Sequence, residues 1–181
     1  MAREKVISTK TIFSGRALKF RVDTVQMPDG RETTREIVEH AQVIAVVAID
    51  DSDNVLLVRQ YRSPTGKELL EIPAGGIDGN EKPEDAVRRE MQEETGYMPQ
   101  KLVKLGAFYT APGFCNEYMH LYLATDLVPG RLHAEDTDEI SLERVPAKEL
   151  PTLLTSGKIE DAKSIAGLYM YMEYRERNSK S

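Results

Sequence analysis

The sequence predicts a layered α/β or α+β domain built on a mixed sheet, with an antiparallel β-segment ahead of it, and three observations carry that expectation. Two Val- and Ile-rich runs, Gln42 to Ile49 and Val55 to Gln60, flank the turn cluster Asp50 to Asn54 and read as strands. A helix follows a glycine-rich loop in mid-chain. Strands and helices then alternate without an internal repeat, low-complexity stretch or long linker, which suits one core in a chain of 181 residues.

Taken in order, Phe20 to Met27 and Thr33 to Glu39 flank Pro28-Asp29-Gly30 and predict a hairpin or small sheet within the first 40 residues. Residues 1–40 are therefore expected to form an N-terminal β-segment, and residues 41–181 the main domain. After the two buried runs, Lys67 to Ile72 reads as another strand, stopped by Pro73-Ala74-Gly75-Gly76. Pro83 suits the first turn of a helix running to Thr95, and Gly96 stands where a left-handed stop is placed. Lys101 to Thr110 and Tyr118 to Thr125 are the next strands, joined through a turn or loop at Ala111-Pro112-Gly113, and Ser141 to Val145 is a short last strand. Glu149 to Ser156 and Asp161 to Glu176 read as helices, the second with a core stripe of Ile165, Leu168, Tyr169 and Met172.

Composition narrows the function. A balance of 24 basic against 30 acidic side chains, net -6, argues against a nucleic-acid binder that depends on a basic face. The longest apolar run, Val43 to Ile49, is far short of the ~20 residues a membrane helix needs. No membrane association is expected. With one cysteine, Cys115, and no secretory signal after Met1, a cytoplasmic setting fits best.

Acidic residues are unevenly placed. Glu81 to Glu94 holds six acids against three bases, and His133 to Glu143 holds five acids with no Lys or Arg. At ~100° per residue, Glu94 lies ~40° from Glu90 and Glu93 ~60° on its other side, so three carboxylates share one broad helix face. Like charges at that spacing cost a helix ~0.2 to 0.5 kcal/mol per pair, more so near its negatively polarised C-terminal end. A divalent cation would offset both penalties, and an all-oxygen donor set suits Mg²⁺ or Mn²⁺. Val87 and Met91 fall on the flank beyond Glu94, where they can bury against a sheet and leave the carboxylates at the edge of the contact. The competing reading is an amphipathic surface helix with a solvated acidic side.

The whole pattern favours the metal site. Gly75, five residues, Glu81, seven residues, Arg89-Glu90, the apolar Met91, one residue, Glu93-Glu94, one residue and Gly96 resembles the signature of the Nudix hydrolases. Seven fixed identities would coincide by chance on the order of once in a million such chains. Tyr97 stands where that pattern usually has an aliphatic residue. The resemblance implies an α/β/α sandwich with mixed sheet and a loop-helix-loop site that hydrolyses a nucleoside diphosphate linked to another group. It implies Glu90 and Glu94 as direct Mg²⁺ ligands, with Mn²⁺ the alternative ion, Glu93 supporting the metal shell, and the Ala74 carbonyl as a further candidate ligand. Glu81 would support the loop and Arg89 would orient the acids.

Outside the box the chain resembles the ADP-ribose pyrophosphatase and nucleotide-sugar branch, on Arg35-Glu36-Ile37-Val38-Glu39-His40, Gln60-Tyr61-Arg62, Glu71-Ile72-Pro73-Ala74-Gly75-Gly76, and Pro112 with Glu117 behind it. The expected products are a nucleoside monophosphate and a sugar phosphate. In that branch a loop after the box brings a general base, and Glu135, Asp136, Asp138 and Glu139 fall in the matching region, Glu139 the first choice and Glu135 the second. Arg35, Arg62 and Glu117 are candidate substrate contacts, since arginine suits a phosphate and a carboxylate suits ribose hydroxyls. The N-terminal β-segment would build a homodimer. The rival readings are a Nudix enzyme for nucleoside triphosphates or dinucleotides, and a Nudix-fold ligand sensor without turnover.

Overall fold

The computed structural model describes residues 3–134 and 139–179. The chain forms two compact units, one comprising the residues up to Gln42 with Phe108–Tyr118, the other Val43–Ala107 with the residues from Met119 onward.

The first unit is a three-stranded antiparallel sheet of β1 (Lys5–Ser14), β2 (Leu18–Gln26) and β3 (Glu32–His40), in that order. The predicted hairpin is β2 and β3, turned at Gly30, whose φ of 87° lies in the left-handed region that glycine tolerates. The sequence reading passed over β1. Its ten residues are all exposed, so no alternation of burial marks it, although Val6, Ile7, Thr9, Thr11 and Ile12 are β-branched. The segment around Pro112 belongs to this unit: Val38 donates to the Phe114 carbonyl at 2.8 Å and His40 to Asn116 Oδ1 at 2.8 Å.

The second unit holds a seven-stranded mixed sheet. Its path runs β10 (Ser141–Pro146), β5 (Asn54–Arg62), β4 (Val43–Ile49), β9 (Tyr118–Pro129), β8 (Tyr97–Tyr109), with β6 (Lys67–Glu71) on β5 and the short β7 (Ala74–Gly76) on β4. β4 and β9 are parallel; β4 pairs antiparallel with β5 and β7. The Pro73-Ala74-Gly75-Gly76 run, expected only to stop a strand, resumes pairing after one proline: Ala74, Gly75 and Gly76 face Ala45, Ile44 and Val43.

Alternation along β4 builds the layers. Ile44, Val46 and Ala48 pack with Ala86, Val87 and Met91 of α1 (Pro83–Thr95), all fully buried. On the opposite face Val47 and Leu121 meet Gly167 of α3 (Ala162–Ser179), where an added Cβ would lie 2.8 Å from Ile72 and 3.1 Å from Leu121. A helix on each face of a mixed sheet is the α/β sandwich expected. α2 (Leu150–Thr155) follows a single 3₁₀ turn at Ala147–Glu149, so the predicted Glu149 start falls inside that turn.

The core stripe of α3 is corrected in part. Ser164, Gly167, Leu168 and Tyr171 are its buried residues, and Tyr169 is half exposed. Of the predicted stripe Leu168 is fully buried as expected and Ile165 and Met172 are partly buried, while Tyr169 is turned outward, because the small Ser164 and Gly167 let the helix approach the sheet on their side.

Candidate active site

α1 begins at Pro83 and ends at Thr95, capped by Gly96, whose φ of 77° is left-handed and whose amide donates to the Gln92 carbonyl. Its length and its stop are therefore local properties. Its rotation is set by Ala86, Val87 and Met91, which turn the face bearing Glu90 and Glu94 toward β7.

Glu94 lies inside the packed contact, not at its edge. It is 7% exposed, and its Oε2 accepts a 3.1 Å hydrogen bond from the Ala74 amide. Burial, and then repulsion from Glu90, push its carboxyl up to about 8. Glu90 crosses the β7 backbone at close range: a Cβ at Gly75 would stand 2.0 Å from its Cδ and Oε1. Only glycine leaves that space.

Arg89 joins the remaining acids. Its guanidinium donates to Glu81 at 3.0 and 3.2 Å, to Glu90 Oε1 at 2.7 Å, to Glu93 Oε2 at 3.4 Å and to the Gly76 carbonyl at 2.8 Å. Hydrogen bonding to Glu81 is the main reason its pKa is raised. One cation thus ties the loop, β7 and the helix together. Glu81 also accepts from the Asp78 amide, which closes the loop ahead of the helix.

The donor set fits a hard divalent ion. A buried carboxylate whose charge is disfavoured, a second carboxylate beside it and a glycine that makes room for the second form a cradle of oxygen donors. Among the described residues no three His, Cys, Asp or Glu side chains are already gathered in metal-binding geometry, and Arg89 holds Glu90 and Glu93.

The other predicted residues are distributed as follows. Arg62 is paired with Glu71 through two hydrogen bonds of 2.8 and 2.7 Å, and Lys163 reaches the same carboxylate. Arg35 is held by Glu4 at 2.8 Å, and Glu117 lies 3.3 Å from His40 Nδ1, each within the N-terminal unit. Glu139 is exposed in a turn ahead of β10 and takes no part in the Arg89 network. Glu135, Asp136 and Asp138 lie outside the described residues.

Sequence reasoning assigned no role to Glu71, Lys163 or Gln92. Glu71 is 2% exposed, and burial would raise its carboxyl, but Arg62 and Lys163 outweigh burial and hold it below its ordinary range. Lys163 is 92 residues from Glu71, so no local pattern links them. Gln92 Nε2 donates to the Gly130 carbonyl at 2.7 Å, the Gly130 amide to the Gly96 carbonyl at 3.0 Å and the Leu132 amide to the Gln92 carbonyl at 3.3 Å. The segment that leads into the second acidic cluster is pinned to the C-terminal turn of α1.

Comparison with known proteins agrees with this architecture. The NUDIX domain model matches residues 39–168, and a model of the nucleoside diphosphate sugar hydrolase N-terminal domain matches residues 4–38. The chain is 35% identical over 175 residues to an ADP-ribose pyrophosphatase of Bacillus subtilis (strain 168), covering 96% of this chain and 94% of that protein. It is 38% identical over 175 residues, with the same coverage, to the methanol dehydrogenase activator of Bacillus methanolicus. The crystal structure of an ADP compounds hydrolase superposes with a TM-score of 0.91 over 100% of this chain and 98% of that one; at 22% identity the likeness is one of fold. With a domain model covering most of its length and the Gly75 to Gly96 signature folded as a loop-helix-loop, the chain belongs to the Nudix family.

Proposed function

We propose that the protein hydrolyses the pyrophosphate bond of ADP-ribose or a related nucleoside diphosphate sugar, giving a nucleoside monophosphate and a sugar phosphate. The observation that carries the reading is the packing of two carboxylates, Glu94 buried and Glu90 against Gly75, at the end of a rigidly capped helix. The relative named ADP-ribose pyrophosphatase, matched along nearly all of its length, points to the substrate.

In this reading Glu90 and Glu94 hold Mg²⁺, with Mn²⁺ the alternative, Glu93 supports the site and the Ala74 carbonyl is a further candidate ligand. When bound, the cation neutralises phosphate charge and lowers the pKa of a water. Arg89 keeps Glu81, Glu90 and Glu93 from repelling one another before substrate arrives. Proton removal falls to an acid of the second cluster, Glu139 first and Glu135 second. The support for this is the anchoring of Gly130 and Leu132 on Gln92, which holds the chain just ahead of the cluster at the C-terminal turn of α1.

Arg62 is the substrate contact best supported by its surroundings, for Glu71 presents it in a fixed orientation with the side chain still 38% exposed. Roles for Arg35 and Glu117 rest on the family resemblance alone. Homodimer formation through the N-terminal sheet is supported by the exposed Val6, Ile7, Ile12 and Phe13 on β1. A cytoplasmic setting is in keeping with a lone cysteine. Among the described residues no helix is long and apolar enough to cross a membrane.

Purified protein incubated with ADP-ribose and Mg²⁺ should yield AMP and ribose 5-phosphate, and a chelator should stop the reaction. Glu94→Gln removes charge without volume, so it should cost more than the ~10- to 100-fold typical of outer-shell losses while leaving the circular dichroism spectrum unchanged. Full activity in excess chelator, or a Glu94→Gln enzyme near wild type at saturating substrate, would refute the assignment.

A further inference from the structure

β7 carries the backbone against which both box carboxylates are set, yet it is only three residues long and follows a proline. Three paired residues are too few to fix a strand by themselves. Something must hold its approach, Glu71-Ile72-Pro73. The Pro73 carbonyl accepts from Val46 at 2.9 Å, which ties one point to the sheet.

The other ties come from the first turn of α3. Ser164 is fully buried, and its Oγ accepts the Ile72 amide at 2.8 Å. The same hydroxyl donates to Asp161 Oδ2, which also caps the helix by accepting the Ser164 amide at 2.9 Å. Lys163 Nζ bridges Asp161 Oδ2, at 2.9 Å, and the Glu71 carboxylate. Glu71 in turn holds Arg62 by two hydrogen bonds. Two acids and two bases balance in charge, and their hydrogen bonds interlock around one turn of helix and one strand end.

We propose that Asp161, Lys163 and Ser164 are positioning residues for the metal site: by clamping Glu71 and Ile72 they set the Ala74–Gly76 backbone that receives Glu94 and accommodates Glu90. The proposal rests on the reading of Glu90 and Glu94 as cation ligands. Only Pro73 stands between the clamped Ile72 and Ala74, whose amide meets Glu94. Loss of the clamp lets the Ala74 amide leave Glu94, and the carboxylate then loses its fixed orientation. Outer residues that orient ligands typically change metal affinity by ~10- to 100-fold when removed.

The test compares Ser164→Ala, Lys163→Met and Lys163→Arg with wild type by three measurements. Mn²⁺ binding is read directly by calorimetry, exchange of the Ile72 and Ala74 amides by NMR without metal, and kcat and KM with ADP-ribose. Ser164→Ala and Lys163→Met should weaken Mn²⁺ binding by roughly tenfold or more and lower kcat, with KM for ADP-ribose within about threefold in Ser164→Ala, which leaves the Glu71–Arg62 pair intact. In Ser164→Ala the Ile72 and Ala74 amides should exchange at least about tenfold faster while amides of β4 and β9 keep their rates. Lys163→Arg, which keeps the charge, should recover most of the Mn²⁺ affinity.

Unchanged Mn²⁺ binding in Ser164→Ala and Lys163→Met, even with a lower melting temperature, would overturn the proposal and leave these residues a purely structural role. Should Lys163→Met fail to fold, Ser164→Ala decides alone. A wild-type protein that binds no Mn²⁺ would remove the cation-site reading itself, and the positioning proposal with it. Wild-type binding and turnover with indifferent variants would remove only the latter.

Discussion

A methyl group at Gly75 would enter the space now held by the Glu90 carboxylate, 2.0 Å from its nearest atoms. The backbone there is not in the left-handed region, so alanine meets no conformational penalty and the whole cost falls on Glu90. Glu90 is the end of a flexible side chain and can swing away. Gly75→Ala should therefore leave the melting temperature within a few degrees of wild type yet lower kcat by at least about tenfold, the size of effect expected when a ligand loses its orientation. Steady-state kinetics beside a thermal melt would check it, and activity close to wild type would show that Glu90 works from another rotamer. The need for glycine here was legible in the sequence only as part of a motif. Its physical cause, a carboxylate from a residue fifteen positions later lying over the backbone, is a tertiary contact.

Among the elements, β6 illustrates how a strand end becomes a charge centre. Glu71 closes β6, is buried, and keeps its carboxyl below the ordinary 4.5 because Arg62 and Lys163 outweigh burial. A lowered folded-state pKa contributes stability that is present above the unfolded value and is lost as pH falls through the folded value. Acid should thus destabilise the wild type progressively below about pH 4.5. Glu71→Gln should be roughly 3 kcal/mol less stable near neutrality, because two cations lose their buried partner, and should show a shallower acid limb. Urea denaturation at several pH values would measure both, and parallel curves would mean that Glu71 is not linked to folding. α3 makes the complementary point. Its apolar residues suggested a stripe through Leu168 and Tyr169, but the contact keeps Leu168, leaves Tyr169 half exposed and is completed by Ser164 and Gly167, which permit close approach, a choice made by shape and hydrogen bonding rather than by hydropathy alone.

At the scale of the whole molecule, an all-exposed ten-residue edge strand with Val6, Ile7, Ile12 and Phe13 half exposed is costly in water and prone to pair. A second copy of the chain would cover it. Light scattering should give twice the 20.4 kDa chain mass, and Ile12→Asp with Phe13→Asp should shift the protein toward the monomer. A monomeric wild type at micromolar concentration with full turnover would refute dimer formation through this sheet. The net charge of -6 belongs to the same scale: binding of an anionic substrate should depend on added divalent cation more steeply than on monovalent salt.

The sequence alone determined the helix from Pro83 to Thr95, its glycine stop, the shared face of Glu90, Glu93 and Glu94, and the burial of Val87 and Met91, because each follows from spacing within a few turns of one element. It likewise determined the turns at Gly30 and Asp50 to Asn54 and the strands between them, since turn chemistry and β-branched runs act over neighbouring residues. Only the tertiary structure decided that Glu94 stands within the packed contact, that β7 resumes after Pro73, and that Lys163 and Ser164 hold a strand end 92 residues away. Those outcomes depend on which surfaces meet when helix and sheet dock. Volume, hydrogen-bond satisfaction and charge compensation across that contact select them, and none has a period that a linear sequence displays.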